Sequence, residues 1–465
     1  VTTLLFRNAE VDGELVDVRV EGHMVTAVGP GLSNAGAELI DAGGGALLPG
    51  LHDHHLHLLA IAAARRSIDC GSAAVRDEAG LRAALAVPGT GWLRGTNYHE
   101  SVAGELDRTV LDRWVPDRPV RIQHRSGALW MLNSAAVKKV SHVLDGSIDV
   151  ERDGAGQPTG RLWRYDDRLR AALVDDPPDL GPVGADLTGF GITGVTDATP
   201  DIDSTAIELI AAARESGTLP QRVVLLGAAT DARLPAGIEA GPYKLLLRDH
   251  DLPSYDELAA RVATSHDAHR PVAVHCVSRE SLLLTLAVLA DIGAVDGDRI
   301  EHAGVVPPGV GEQMAELGVR VVTQPGFLRE RGDAYARDVA EDDLPHLYPH
   351  AGLLADGVSV AVSSDAPFGP LDPWQVIAAA VERRSAAGVV LGEAERVSAA
   401  TALAGYLAPP DDPGGPPRRI VPGAAADLCL LHAPVRTALA SLDRSLVRTV
   451  VIDGVAHVGE HPANQ

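Results

Sequence analysis

The sequence predicts an α/β protein built around a (β/α)8 TIM barrel. Through the middle of the chain, short apolar runs alternate with longer amphipathic segments, the texture of parallel βα units. Eight such runs can be placed, at residues 46–51, 194–197, 222–226, 243–247, 271–275, 299–302, 319–323 and 358–363. Both chain ends have a different texture, of short alternating strands and tight turns.

Residues 3–6, 15–20 and 23–28 read as antiparallel strands closed by glycines at 43–45. At the other end, residues 426–431 and 447–452 read as strands, with Asp453-Gly454 as a tight turn. Chain ends often lie close together, so 1–48 and 418–465 are expected to form one small β domain. The Pro/Gly-rich stretch 409–417 is its linker, and 49–417 forms the barrel. Segments 255–264, 278–291 and 309–317 carry apolar residues at helical spacing. About 130 residues separate the first two barrel strands, too many for a loop. An inserted α/β subdomain over 60–190 is therefore expected, with strands at 91–94 and 120–123 and a helix at 133–140.

Acidic side chains outnumber basic ones, 63 to 40, for a formal charge of -23. Such a field repels phosphate backbones and anionic lipid, and no basic patch opposes it, so nucleic acid and membrane partners are not expected. Cys70, Cys276 and Cys429 are far apart and lack metal-knuckle spacing, which fits free thiols in a reducing, cytoplasmic compartment. No long apolar run predicts a signal peptide or membrane span. Only Lys138, Lys139 and Lys244 are lysines; every other basic side chain is arginine.

The first barrel strand ends in His52-Asp53-His54-His55-Leu56-His57. Alternation puts Asp53, His55 and His57 on one face and His52 and His54 on the other. Two imidazoles two residues apart can grip one metal, although a lone His-x-His is more often a surface cluster or a pair of core histidines. His275, His302 and Asp365 strengthen the metal reading, because each falls at the C-terminal end of a strand, where barrel enzymes keep their sites. Singly, each would be read as a helix cap or a satisfied polar residue. Together, neutral imidazoles and a carboxylate suit zinc or a similar divalent ion. Lys244 lies on the fourth strand; beside cations its amine would lose its proton and could form a carbamate with carbon dioxide.

These residues resemble the amidohydrolase superfamily and, within it, the YtcJ-like members of amidohydrolase family 3. The resemblance rests on Pro49-Gly50-Leu51-His52-Asp53-His54-His55-Leu56-His57, Arg299-Ile300-Glu301-His302-Ala303 and Ser363-Ser364-Asp365-Ala366-Pro367. Residues 191–197 and 271–277, Gln324-Pro325 and the closing 421–428 extend it over nearly the whole chain. It implies a metal-bearing barrel, a β-sandwich built from both chain ends and an insertion after strand one. It makes His55, His57, Lys244, His275, His302 and Asp365 the metal set, with one or two zinc ions per chain and carbamylated Lys244 bridging a binuclear pair. Arg248-Asp249-His250 departs from the Asp-Gly that often follows this strand in relatives. So do Ala128, where a histidine is common, and Arg164, where glutamate is common; both are expected to face substrate.

The expected reaction is metal-dependent hydrolysis of an amide or cyclic amide of a small molecule, with Asp365 as general base and then acid. A mononuclear zinc deaminase is the alternative; Ser278 stands where deaminases of this superfamily usually carry glutamate, and Glu280 is displaced. A catalytically silent ligand-binding barrel is the alternative of another class. The expected substrate wall combines Trp92, Tyr98, His99, His124, Arg125, Trp130 and Trp163 with Arg248 and Arg279. Arginines there would hold a substrate carboxylate. Nothing local encodes an oligomeric state, and a homodimer stays open.

Overall fold

The computed structural model describes residues 2–72, 74–165, 168–169, 172 and 178–458. It is a mixed α/β structure that divides into two compact units, one of Val1–Leu58 with Leu180–Gln465, the other of Leu59–Asp179.

In the first unit, the chain ends form two four-stranded sheets. One has the order Met24–Gly29, Glu14–Glu21, Thr3–Val11, Glu38–Asp41, antiparallel except for its last pair. The other runs Val455–Val458, Val447–Ile452, Leu428–Leu431, Leu47–Pro49, antiparallel throughout. Leu4, Phe6 and Val18 of one sheet share a buried cluster with Leu47, Leu428 and Val451 of the other. Burying each such leucine or phenylalanine contributes about 1.5–3 kcal/mol.

The centre of this unit is parallel. A four-stranded sheet has the order Leu51–Leu56, Ile192–Asp197, Arg222–Leu225, Ile238–Ala240. A five-stranded sheet follows in chain order: Tyr243–Leu245, Val272–Cys276, Arg299–His302, Arg320–Thr323, Val360–Val362. Backbone bonds link the two sheets: Lys244 N–H donates at 3.0 Å to the O of Leu226, which follows Arg222–Leu225, Asp365 N–H to His55 O at 2.8 Å and His57 N–H to Ala366 O at 2.9 Å. Two of its longer helices start where the sequence supplies a side-chain cap. Ser254 and Glu257 form a reciprocal capping box on Tyr255–Asp267, and Ser278 caps Arg279–Ile292.

The expected strand over 46–51 proves to be two elements. Leu47–Pro49 pairs with Leu428–Leu431, whereas Leu51–Leu56 pairs with Ile192–Asp197, so the barrel strand that carries the histidine run starts at Leu51 and extends to Leu56. The exchange of partners happens at Gly50, whose N–H donates to Asp427 O at 2.8 Å. A Cβ there would lie 2.2 Å from the Thr193 side chain, so only glycine fits. Ile238–Ala240 was not expected, because its single buried apolar residue gives no period to read.

The second unit has a six-stranded mixed sheet of order Val150–Arg152, Pro158–Trp163, Leu129–Leu132, Val120–His124, Leu93–Tyr98, Ile68–Asp69. Its core packs Leu93, Ile122 and Met131 against Leu81 and Leu85 of helix Glu78–Leu85 and Leu111 of helix Arg108–Trp114. Buried Asn133 caps helix Ser134–Val140. Its Oδ1 accepts from Ala136 N and Val120 N, both at 2.9 Å, and its Nδ2 donates to Val115 O and Arg118 O, both at 2.8 Å.

Candidate metal centre

Strand Leu51–Leu56 is buried along its whole length, yet four of its six residues are polar. Each buried polar side chain then needs a partner. His52 Nε2 lies 2.9 Å from Thr196 Oγ1, and His54 Nε2 lies 3.0 Å from Gly405 O, which makes these two core histidines tied to neighbouring elements, although His54 Nδ1 has no partner among the described residues. Asp53 Oδ1 accepts from the N–H groups of His55 at 3.1 Å and Ser364 at 3.3 Å, tying the histidine strand to the segment that carries Asp365. Burial pushes the Asp53 carboxyl up to about 7, against these hydrogen bonds.

Ligand atoms of His55, His302 and Asp365 lie within 4.8 Å of one another. Asp365 Oδ1 is 3.5 Å from His55 Nε2 and 3.1 Å from His57 Nε2, and Asp365 Oδ2 is 3.8 Å from His302 Nδ1. The His275 ring centroid is 4.4 Å from that of His302. Lys244 is buried, and its Nζ has no hydrogen-bond partner among the described residues. Burial pulls its ammonium down from the usual range, with Glu301 and Asp365 opposing. His302, Ala303 and Asp365 hold positive φ angles of 74°, 48° and 49°, a backbone state that bends these strand ends and that such residues seldom adopt unforced.

The outer partners settle the tautomers. Gln324 Nε2 donates to Val322 O at 3.1 Å and Ser363 Oγ at 2.9 Å, so its Oε1 faces His302 Nδ1 at 2.7 Å and must accept a proton from it. His55 Nδ1 faces the Glu301 carboxylate in the same way, and Glu301 is held by Arg299 Nε at 2.5 Å. The Nε2 lone pairs of both rings are thereby left available. His57 Nδ1 lies 3.2 Å from Thr199 Oγ1. Burial keeps His55, His275 and His302 far below the usual imidazole range and therefore neutral. For Asp365, burial works upward, but the imidazoles of His55, His57 and His302 outweigh it and hold the carboxyl well below its usual range.

Glu301, Thr199 and the link from Gln324 to His302 escaped the sequence reading. Glu301 had a signal: an arginine and a glutamate two residues apart on a buried strand share a face and must find partners.

The expected wall residues fall into different environments. Tyr98 is buried in the second unit and donates to Gly104 O at 2.5 Å, and Trp130 is buried with Arg121 over its ring at 5.4 Å. Trp92 is half-buried, also beside Arg121. His124 is half-buried, whereas Arg125 and Trp163 are exposed. In the first unit Arg248 is exposed, and Arg279 forms an ion pair with Asp343. Ser278 Oγ donates to Asp249 Oδ1 at 2.6 Å while capping its helix, and Glu280 is exposed. No helix among the described residues is long and apolar enough to cross a membrane.

The sequence profile of the amidohydrolase family matches residues 38–457. The chain is 27% identical to an N-substituted formamide deformylase of Arthrobacter pascens over 94% of each chain. It is 25% identical to the putative amidohydrolase YtcJ of Bacillus subtilis over 75% of each. The crystal structure of an uncharacterized metal-dependent hydrolase from Pyrococcus horikoshii superposes with a TM-score of 0.75 at 20% identity, covering 98% of this chain and all of that one. The chain belongs to the amidohydrolase family and is a hydrolase.

Proposed function

We propose that this protein hydrolyses a carbon–nitrogen bond of a small-molecule amide or cyclic amide, using one or two divalent ions held by His55, His57, Lys244, His275, His302 and Asp365. The observation that carries this reading is the convergence of the His55, His57 and His302 rings on the Asp365 carboxylate, beside a buried, unpartnered lysine amine. Such a donor set fits zinc. An ammonium left without a partner in this interior would be costly, and an anionic carbamate on Lys244, shared between two ions, would remove that cost. His55, His57 and Asp365 would hold one ion, and His275 and His302 the other.

When bound, such an ion polarises a carbonyl and lowers the pKa of water to about 7. The side chains do the rest. Glu301 and Gln324 orient His55 and His302, and Asp53 holds the strand bearing His55 against the segment bearing Asp365. Asp365 accepts the proton of the attacking water and delivers it to the departing nitrogen. A deaminase reading has less support, because Ser278 is committed to a helix cap and to Asp249.

The fold we infer is a closed (β/α)8 barrel over 49–417, with 60–190 as an insertion and a β-sandwich from 1–48 and 418–465. The hydrogen bonds that link the two parallel sheets through Lys244, Asp365 and His57 support closure, and the apolar cluster shared by the two terminal sheets supports the sandwich. Arg125, Trp163 and Arg248 are the exposed candidates for contact with substrate, and three free buried cysteines support the cytoplasm.

The test is to screen the metal-loaded protein against N-formyl, N-acyl and cyclic amides. Metal-dependent turnover that Asp365→Asn abolishes and Lys138→Ala spares is expected; a protein that loads metal yet turns over none of these classes would overturn the proposal.

A further inference from the structure

The second unit carries its own cluster of metal-ligating groups. His99, Glu100 and His124 bring their ligand atoms within 4.8 Å of one another. His124 ends strand Val120–His124, and His99 and Glu100 follow the adjacent parallel strand Leu93–Tyr98, with Tyr98 opposite His124 in register. Arg125 N–H donates to Tyr98 O at 2.8 Å, which locks the two strand ends together. The imidazole centroids are 5.8 Å apart, and Glu100 Oε2 lies between the rings, 3.2 Å from His124 Nε2 and 3.7 Å from His99 Nε2.

The far side of each ring is also built, and built the same way twice. His99 Nδ1 lies 2.8 Å from Ser101 Oγ and accepts Ser101 N–H at 3.2 Å. His124 Nδ1 lies 2.7 Å from Ser126 Oγ and accepts Ser126 N–H at 3.1 Å. A histidine that ligates through Nε2 needs an acceptor for its Nδ1 proton, and a serine hydroxyl stands at each. Taking the ligating tautomer moves each ring's proton from Nε2 to Nδ1, where the serine hydroxyl accepts it and the contact with the serine backbone N–H is given up. The three side chains are 31%, 39% and 15% exposed, which leaves a bound ion open to solvent and to further water ligands.

We propose that His99, Glu100 and His124 form a second site for a divalent transition ion of the zinc class, made of other residues than the centre around Asp365, with Ser101 and Ser126 as its positioning residues. Two imidazoles and one carboxylate select zinc, nickel or copper over calcium and magnesium, which prefer all-oxygen shells. An ion there would cross-link the ends of two neighbouring strands and stiffen the turns that follow them.

The experiment uses the full chain with its chelator-resistant metal left in place, dialysed against micromolar free zinc and assayed for metal content. The wild-type protein should hold one zinc per chain more than His99→Asn or Glu100→Gln, with the chelator-resistant metal the same in all three. Ser126→Ala should weaken the extra zinc about 10–100-fold. Calcium at the same concentration should not bind. Equal zinc content in wild type and both ligand variants would overturn the proposal, as would loss of the chelator-resistant metal in place of the exchangeable one. Because both ligand variants replace exposed or half-buried groups by near-isosteres, a folding failure in one leaves the other to decide.

Discussion

Gln324 Oε1 accepts the Nδ1 proton of His302 at 2.7 Å, and the Gln324 amide is itself fixed by Val322 O and Ser363 Oγ. One side chain thus sets the tautomer of a histidine that it joins across two strands. Gln324→Leu keeps the volume and removes the acceptor. The expected result is a metal affinity about 10–100-fold lower in competition with a chelator, with the fold intact by circular dichroism. Unchanged affinity would show that the hydrogen bond does not orient the ring.

Asp365→Asn keeps the shape of the side chain and removes its ability to take a proton. Turnover of any accepted amide should fall about 10²–10⁴-fold, the usual range for a general acid–base group. Substrate screens followed by steady-state kinetics measure this. A variant within a factor of a few of wild type would remove Asp365 from the chemistry.

Lys244→Met replaces a buried, unpartnered amine by an apolar chain of similar length. If the lysine serves only the metal centre, this variant should lose metal and activity while its metal-free form melts no lower than the metal-free wild type, because an expensive buried polar group has gone. A metal-free variant that melts far lower would make Lys244 a structural residue.

The three thiols test burial directly. Desolvation pushes Cys70, Cys276 and Cys429 each up to about 12, so almost none is thiolate at pH 8. An aromatic disulfide reagent should react with none of them in the native protein and with all of them in denaturant. Rapid native labelling of any one would place it at the surface.

Much of the candidate site is legible in the chain because strands have a period of two. That period separates Asp53 and His55 from His52 and His54, and the structure finds the latter pair bonded to Thr196 and Gly405. Strand ends such as His302 are legible for a similar reason, since an apolar run that stops at a polar residue marks its own boundary, and Arg299–His302 falls at the expected residues. Helix starts at Ser278 and Asn133 follow from side chains that cap their own backbone, a contact spanning three residues.

Periodicity says nothing about groups that meet across distant strands. Glu301 meets His55 from 246 residues away. His99 and His124 come together only because Leu93–Tyr98 and Val120–His124 lie side by side in register. The exchange of strand partners at Gly50 likewise depends on the closeness of Thr193. By itself, the sequence determined the order of the βα units and the residue types at their ends, because local sterics and hydrophobic period act over a few residues. Tertiary structure decided which of those ends converge and what holds each ring in place, because register and close packing are properties of the assembled chain.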